Sequence, residues 1–266
     1  MNLKLPTLIV EASDEARQRF DDGLLSYYKG HLQKAIEALR EAALLEPEDA
    51  DIRYNLGFML AEQGDWDTAI QELQEAIRLA PNYATAHAKL ADVFEAKGKT
   101  QHAINAYRRA YRFEPENAYP HYKLGAIFFR LGDLANAIVE LQEAVRLDPE
   151  DDNLHYDLGL TFYYDYQLEA AIHHFQEAIR LNGGRADVYN NMGTAYYKQG
   201  DYASAIAAYE EAVRLNPKDA AAHCNLGNAL YFQGQKAAGR AEWQKVLQLD
   251  NGTIARQAQE ALYSYR

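Results

Sequence analysis

Residues 50–83 read ADIRYNLGFMLAEQGDWDTAIQELQEAIRLAPNY, and most of the fold follows from them. Ala69, Ile70, Leu73, Ala76 and Ile77 fall at i, i+1, i+4, i+7 and i+8, which is one face of an α-helix. Pro81 stands just past that face and stops the helix, because it lacks an amide hydrogen and its ring clashes with the preceding turn. Gly64 divides the stretch at a turn between two helices. Gly57 sits inside the first of them, where glycine costs up to about 1 kcal/mol against alanine. A second helix passing too close for any larger side chain would repay that cost.

The arrangement recurs. Pro47, Pro81, Pro115, Pro149 and Pro217 lie on a 34-residue grid, and Gly183 and Asn251 occupy its two remaining points. A fixed period of this length marks stacked helix-turn-helix repeats. Seven repeats result, at 16–49, 50–83, 84–117, 118–151, 152–185, 186–219 and 220–253. Their eighth position reads Gly23, Gly57, Ala91, Gly125, Gly159, Gly193 and Gly227. Their twentieth is alanine in all but the last repeat, where it is Gly239, and their twenty-fourth is large throughout, from Leu39 to Trp243. The turn between helices carries Gly30, Gly64, Gly98, Gly132, Gly200 and Gly234.

Repeat 5 departs from the pattern, with Tyr166 at the turn and Gly183-Gly184 in place of proline. The glycine pair reads as a helix C-cap, or alternatively as a hinge between repeats 5 and 6. Repeat 7, with Gly239, Arg240 and Val246, diverges as a terminal repeat does. Beyond Asn251-Gly252, Thr253 is expected to cap a last helix over 254–266, with Ile254, Ala258, Ala261, Leu262 and Tyr265 on its apolar face. At the other end Ser13 is expected to cap the first helix, with Asp14 and Glu15 near its positive end. Residues 1–12, with Leu3, Leu5, Leu8, Ile9 and Val10, then form an N-terminal arm that folds over repeat 1, meets another copy or stays flexible. The domain proper is 13–253.

The Gly, Ala, Ala and Pro marks, in register through seven repeats, resemble the tetratricopeptide repeat family. The resemblance implies an all-α, right-handed superhelical solenoid of antiparallel helix pairs plus the C-terminal cap helix. It implies a non-catalytic scaffold or adaptor that holds a protein or extended peptide in a concave groove lined by the first helix of each pair. In the family that wall is built from repeat positions 2, 5, 6, 9, 12 and 13. Carried over by column, it comprises Tyr54, Asn55, Phe58, Lys89, Tyr122, Lys123, Phe129, Arg130, Tyr156, Tyr163, Asn191, Tyr197, Asn225 and Tyr231, with Tyr164, Lys198 and Phe232 at position 13. An asparagine amide can pair with a peptide C=O and N–H together. Tyrosine gives a large contact area with a polar tip and is enriched at interfaces. Lys89, Lys123 and Arg130 form a positive spot in an acidic chain, which points to an acidic group on the partner. The family's clamp for chaperone C-terminal tails needs a Lys and Asn set that no three consecutive repeats here supply.

Other classes fit poorly. A net charge of −12 argues against a phosphate backbone as ligand, so no nucleic acid is expected. No phosphate loop, G-x-S-x-G or H-E-x-x-H occurs, and neither enzyme activity nor a cofactor is expected. His87, His121, His155 and His223 share position 4, but equivalent residues of stacked helices lie about 8–10 Å apart. One zinc ion, with bonds of about 2.0–2.1 Å, could not bridge them, and they read as inter-helix packing. The lone Cys224 permits no internal disulfide and reads as a small buried residue. No run approaches the roughly 18 apolar residues of an integral membrane segment, and the N-terminus lacks a signal-peptide pattern. The cytoplasm is the expected location. Two alternatives remain open: a scaffold that assembles with itself as a homo-oligomer, and an assembly factor for a larger complex, whether membrane-bound or not.

Overall fold

A computed structural model describes the backbone of residues 5–264 and the side chains of residues 13–264. Among the described residues every regular element is an α-helix. The N-terminal repeats give α1 (Leu5–Tyr28), α2 (Leu32–Leu45), α3 (Ala50–Gln63), α4 (Trp66–Leu79), α5 (Ala84–Ala96) and α6 (Thr100–Phe113). Then follow α7 (Ala118–Arg130), α8 (Leu134–Leu147), α9 (Asp152–Tyr164), α10 (Leu168–Leu181), α11 (Ala186–Gln199) and α12 (Tyr202–Leu215). The chain ends with α13 (Ala220–Phe232), α14 (Lys236–Leu249) and α15 (Thr253–Ser264). The helix pairs fall on the 34-residue grid.

The chain divides into two compact bodies, Met1–Lys123 and Leu124–Arg266. In the first, α1 to α6 pack in succession, each helix on its neighbour in that series, and α3 also touches α5. In the second, α8 to α15 do the same, and the first helices of successive pairs touch, α9 on α11 and α11 on α13.

Aspartates set the helix starts. Asp49, Asp151 and Asp219 accept backbone amides at the starts of α3, α9 and α13, and Asp65, Asp133 and Asp201 do so for α4, α8 and α12. Each such cap stabilises its helix by about 1 kcal/mol. The turn glycines Gly30, Gly64, Gly98, Gly132, Gly200 and Gly234 all have positive φ.

Inside the pairs, the glycine column marks a close approach. A Cβ on Gly57 would lie 2.8 Å from Leu73 Cγ, and one on Gly193 would lie 2.7 Å from Tyr209 Cε1. The large residue at position 24 thus occupies the space the glycine leaves, and Leu39, Leu73, Tyr107, Leu141, Phe175, Tyr209 and Trp243 are all at most 1% exposed.

The histidine column has a specific job. His87, His155 and His223 donate Nε2–H to the carbonyls of Pro81, Pro149 and Pro217, at 3.0, 3.2 and 3.2 Å. The buried imidazole thereby fastens each first helix to the proline turn before it. In repeat 5 this leaves His155 Nδ1 as an acceptor, 3.2 Å from Nδ1 of His174 on the neighbouring helix. Burial, then the nearby His155 and His173, push the His174 pKa down to about 4, against an opposing pull from Glu177. An unfolded imidazole titrates near 6.5, so below that pH the unfolded chain takes up a proton that the fold refuses. Stability is therefore expected to fall as pH drops from 6.5 toward 4. Urea midpoints at pH 7 and pH 4.5 should drop further for the wild type than for His174→Gln; equal drops would refute the assignment.

Both ends differ from expectation. α1 begins at Leu5, so Ser13 lies inside the helix and does not cap it. The packing expected of Leu3, Leu5, Leu8, Ile9 and Val10 lies outside the described residues. At the C-terminus Asp250, not Thr253, does the capping: its carboxylate accepts from Gly252 N at 3.1 Å and Ala255 N at 2.9 Å. Ile254, Ala258, Ala261 and Leu262 pack with Cys224, Trp243 and Val246. Tyr265 lies outside the described residues. Neither glycine of Gly183-Gly184 adopts positive φ, so no left-handed C-cap forms there, and α10 is closed by Asn182.

Candidate functional site

The groove columns of the two bodies have different chemistry. In Met1–Lys123 the wall residues satisfy one another. Tyr54 packs on Phe58 at 6.4 Å and on Tyr83 at 5.1 Å between ring centroids. Tyr54 and Phe58, with Tyr27 and Asn55, line a cleft of about 210 Å³. Asn55 Nδ2 donates to the Asp51 carbonyl at 2.8 Å, one turn back on its own helix. Tyr122 is half-buried.

The two wall lysines of this body are already matched. Lys89 Nζ lies 2.9 Å from Glu62 and 4.2 Å above the Phe58 ring. Lys123 Nζ lies 2.9 Å from Glu95. Asp92 accepts the hydroxyls of Tyr107 and Tyr119 at 2.5 and 2.7 Å. Burial, and then that carboxylate, hold both phenols far above the ordinary tyrosine range. The positive spot read from the sequence is thus corrected at Lys89 and Lys123: each ammonium is neutralised by a carboxylate of the preceding repeat, a partner that column-by-column reading does not pair with it. Arg130 belongs to the other body, where it is exposed and lines a small cleft with Phe129, Asp157 and Leu160.

In Leu124–Arg266 the wall is aromatic and amide-rich. Asn191 Nδ2 donates to the Tyr156 hydroxyl at 3.0 Å, and Asn225 Nδ2 donates to Asn190 Oδ1 at 3.0 Å. These bonds tie α9 to α11 and α11 to α13, along a row of successive first helices. Each amide spends one donor on its neighbour, so further amide capacity remains for a chain laid across the row. The Arg185 guanidinium lies 4.4 Å from the Tyr156 ring and is paired with Asp152 and Asp187.

Rings continue along the ends of these helices. Phe129 meets Tyr164 edge-on at 5.5 Å, and Tyr163 meets Tyr164 at 5.4 Å. Tyr197 contacts Tyr202 at 5.3 Å and Phe232 at 6.2 Å. Tyr231 leans on Trp243 at 5.4 Å and packs against the core beneath α15, so its contribution is partly structural. Lys198 Nζ lies 4.2 Å above the Tyr163 ring and 5.0 Å from that of Tyr166.

Tyr166 and Tyr202 thus join a surface for which the sequence reading had singled out Phe129, Tyr156, Tyr163, Tyr164, Asn191, Tyr197, Lys198, Asn225, Tyr231 and Phe232. Tyr202 lies outside the family's wall columns, so column transfer could not reach it. Tyr166 carried a signal, being the one non-glycine in the turn column.

No helix among the described residues is long and apolar enough to cross a membrane. A family model described as the Cilia and flagella-associated protein 70 C-terminal domain matches residues 52–262, and a TPR repeat model matches residues 23–64. No curated protein sequence matches the chain significantly. Solved structures do. The C-terminal part of a TPR repeat-containing protein from Cytophaga hutchinsonii superposes with a TM-score of 0.78 at 18% identity, covering 90% of this chain and 98% of that one. YrrB, described as a TPR protein with an unusual peptide-binding site, gives 0.64 at 24% identity, covering 70% and 96%. MamA gives 0.59 at 30% identity, covering 60% and 94%.

Proposed function

Because the chain belongs to the tetratricopeptide repeat family, whose members generally act as non-catalytic protein-interaction scaffolds, we propose that it holds an extended segment of a partner protein against the first helices of residues 124–266. The observation that carries this reading is the row of linked amides and phenols from Tyr156 through Asn191 and Asn190 to Asn225, bordered by exposed rings. Backbone groups of an extended chain need donors and acceptors at intervals, and an amide supplies both. Rings beside such a row supply contact area at little ordering cost. The peptide-binding description of YrrB agrees with this reading at the level of the fold.

The residues 1–123 contribute less to binding in this reading, because their wall charges are already paired. Tyr54, Asn55, Phe58, Lys89, Tyr122 and Lys123 then act mainly in packing and in positioning the repeats.

The test is an immobilised library of extended peptides probed with wild type and with the Tyr156→Ala/Tyr163→Ala/Asn191→Ala variant. The variant, matched to wild type in helicity by circular dichroism, should lose about 2 kcal/mol or more of binding, a loss typical of interface hot spots. Equal retention of the same peptides by both proteins would place binding elsewhere on the chain.

A further inference from the structure

Tyr166 occupies a position that six other repeats give to glycine, and it adopts the same backbone conformation, with φ of 61°. A residue bearing a Cβ pays for that left-handed conformation, whereas glycine does not. The ring recovers nothing from the core, since Tyr166 is 76% exposed. Its recorded neighbour is the ammonium of Lys198, which it flanks together with Tyr163. A strained, exposed residue at the turn beside the wall is an observation from which function is properly inferred.

Lys198 differs from the other two lysines of the wall columns. Lys89 and Lys123 each lie within ion-pair distance of a carboxylate. No carboxylate among the described residues reaches Lys198; tyrosine rings hold it instead. The proximity of Tyr163 raises its pKa above the ordinary lysine value, so the charge persists at neutral pH. The chain carries a net charge of −12, so an unmatched cation fixed at the wall is a local exception.

We propose that Lys198, held on the rings of Tyr163 and Tyr166, binds the carboxylate of an Asp or Glu side chain within the extended partner segment. This rests on the groove reading above and specifies the ligand's chemistry. Charge complementarity selects the occupant. The ring faces that could receive a cationic side chain already hold the protein's own ammonium. One ammonium matches one carboxylate, whereas a phosphate dianion would be left half-neutralised. Tyr164, 54% exposed and braced by Phe129, supplies apolar contact beside the charge. The acidic recognition suggested by the sequence at Lys89 and Lys123 is thereby moved to a lysine that no carboxylate of the described residues reaches.

The experiment uses the full chain and four immobilised nonapeptide libraries whose central residue is Glu, Gln, Lys or phosphoserine, with uncharged mixtures elsewhere. Wild type should retain the Glu library about tenfold more strongly than the Gln library, the scale of a charge-assisted hydrogen bond. Lys198→Met should bring the two to parity. Tyr166→Gly, which keeps the turn, should weaken the preference without lowering the melting temperature, which separates a binding role from a folding one.

Wild type binding Glu and Gln libraries equally would overturn the proposal while leaving the groove reading intact. Failure to retain any library would contradict both. Preference for phosphoserine over Glu would overturn the carboxylate assignment. A concentration-dependent dimer in light scattering, lost in Lys198→Met, would assign the ammonium to a second copy and overturn the peptide assignment.

Discussion

Trp243→Ala is expected to cost about 3–5 kcal/mol, the usual range for truncating a large buried aromatic. Trp243 is 0% exposed. Its indole N–H donates to Asn228 Oδ1 at 3.0 Å, and its ring packs with Cys224, Val246 and Ala258. Truncation would open a cavity where α13, α14 and α15 meet and leave the amide oxygen without that donor. In stacked repeats each member contacts its neighbours only, so the loss should stay local. Hydrogen exchange should accelerate through Ala220–Ser264 while α2 to α4 keep wild-type protection. Uniform acceleration through the chain would show that the stack unfolds as one cooperative block.

The second large effect concerns a residue with no side chain. Gly125→Val would place a Cβ 2.6 Å from Leu141 Cγ, with the Ala137 carbonyl at 3.4 Å behind it. Over-packing of this kind costs about 1–3 kcal/mol, and valine adds its own helix penalty. The loss should be rescued in part by Leu141→Ala, which vacates the same space. A double-mutant cycle in urea should therefore show the pair losing less than the two single variants summed. Strict additivity would mean that the glycine column does not record helix contact. Ala91 gives an internal comparison, since repeat 3 accommodates a methyl group there with Tyr107 opposite.

These two positions also show why the architecture was legible in the sequence. A small residue, glycine in six repeats and alanine in repeat 3, and a large one opposite it, each returning every 34 residues, encode one close contact seven times over, and only a stacked helix pair satisfies them all. The repeat boundaries could be read for the same reason. The chemistry of the groove was harder to read, because it depends on pairs that no column records. Lys89 meets Glu62 and Lys123 meets Glu95, each 27 or 28 residues back, so both cations looked unmatched when read by position. His155 meets His174 across a pair of helices for the same reason. Ser13 satisfied the local rule for a helix cap, yet α1 begins at Leu5, because a good capping residue does not oblige a helix to start there. Tyr166 broke the turn rule visibly, but its cost and its lysine neighbour emerge only from the backbone angle and the ring geometry.

The central claim is that a partner lies on the first helices of residues 124–266. Its most direct test is photo-crosslinking from a benzophenone side chain placed at Tyr197, within the ring row, or at Val139, which is 62% exposed on a second helix. A peptide retained from the library is the probe. The account predicts crosslinking from position 197 and none from position 139. Crosslinking from 139 with none from 197 would contradict it.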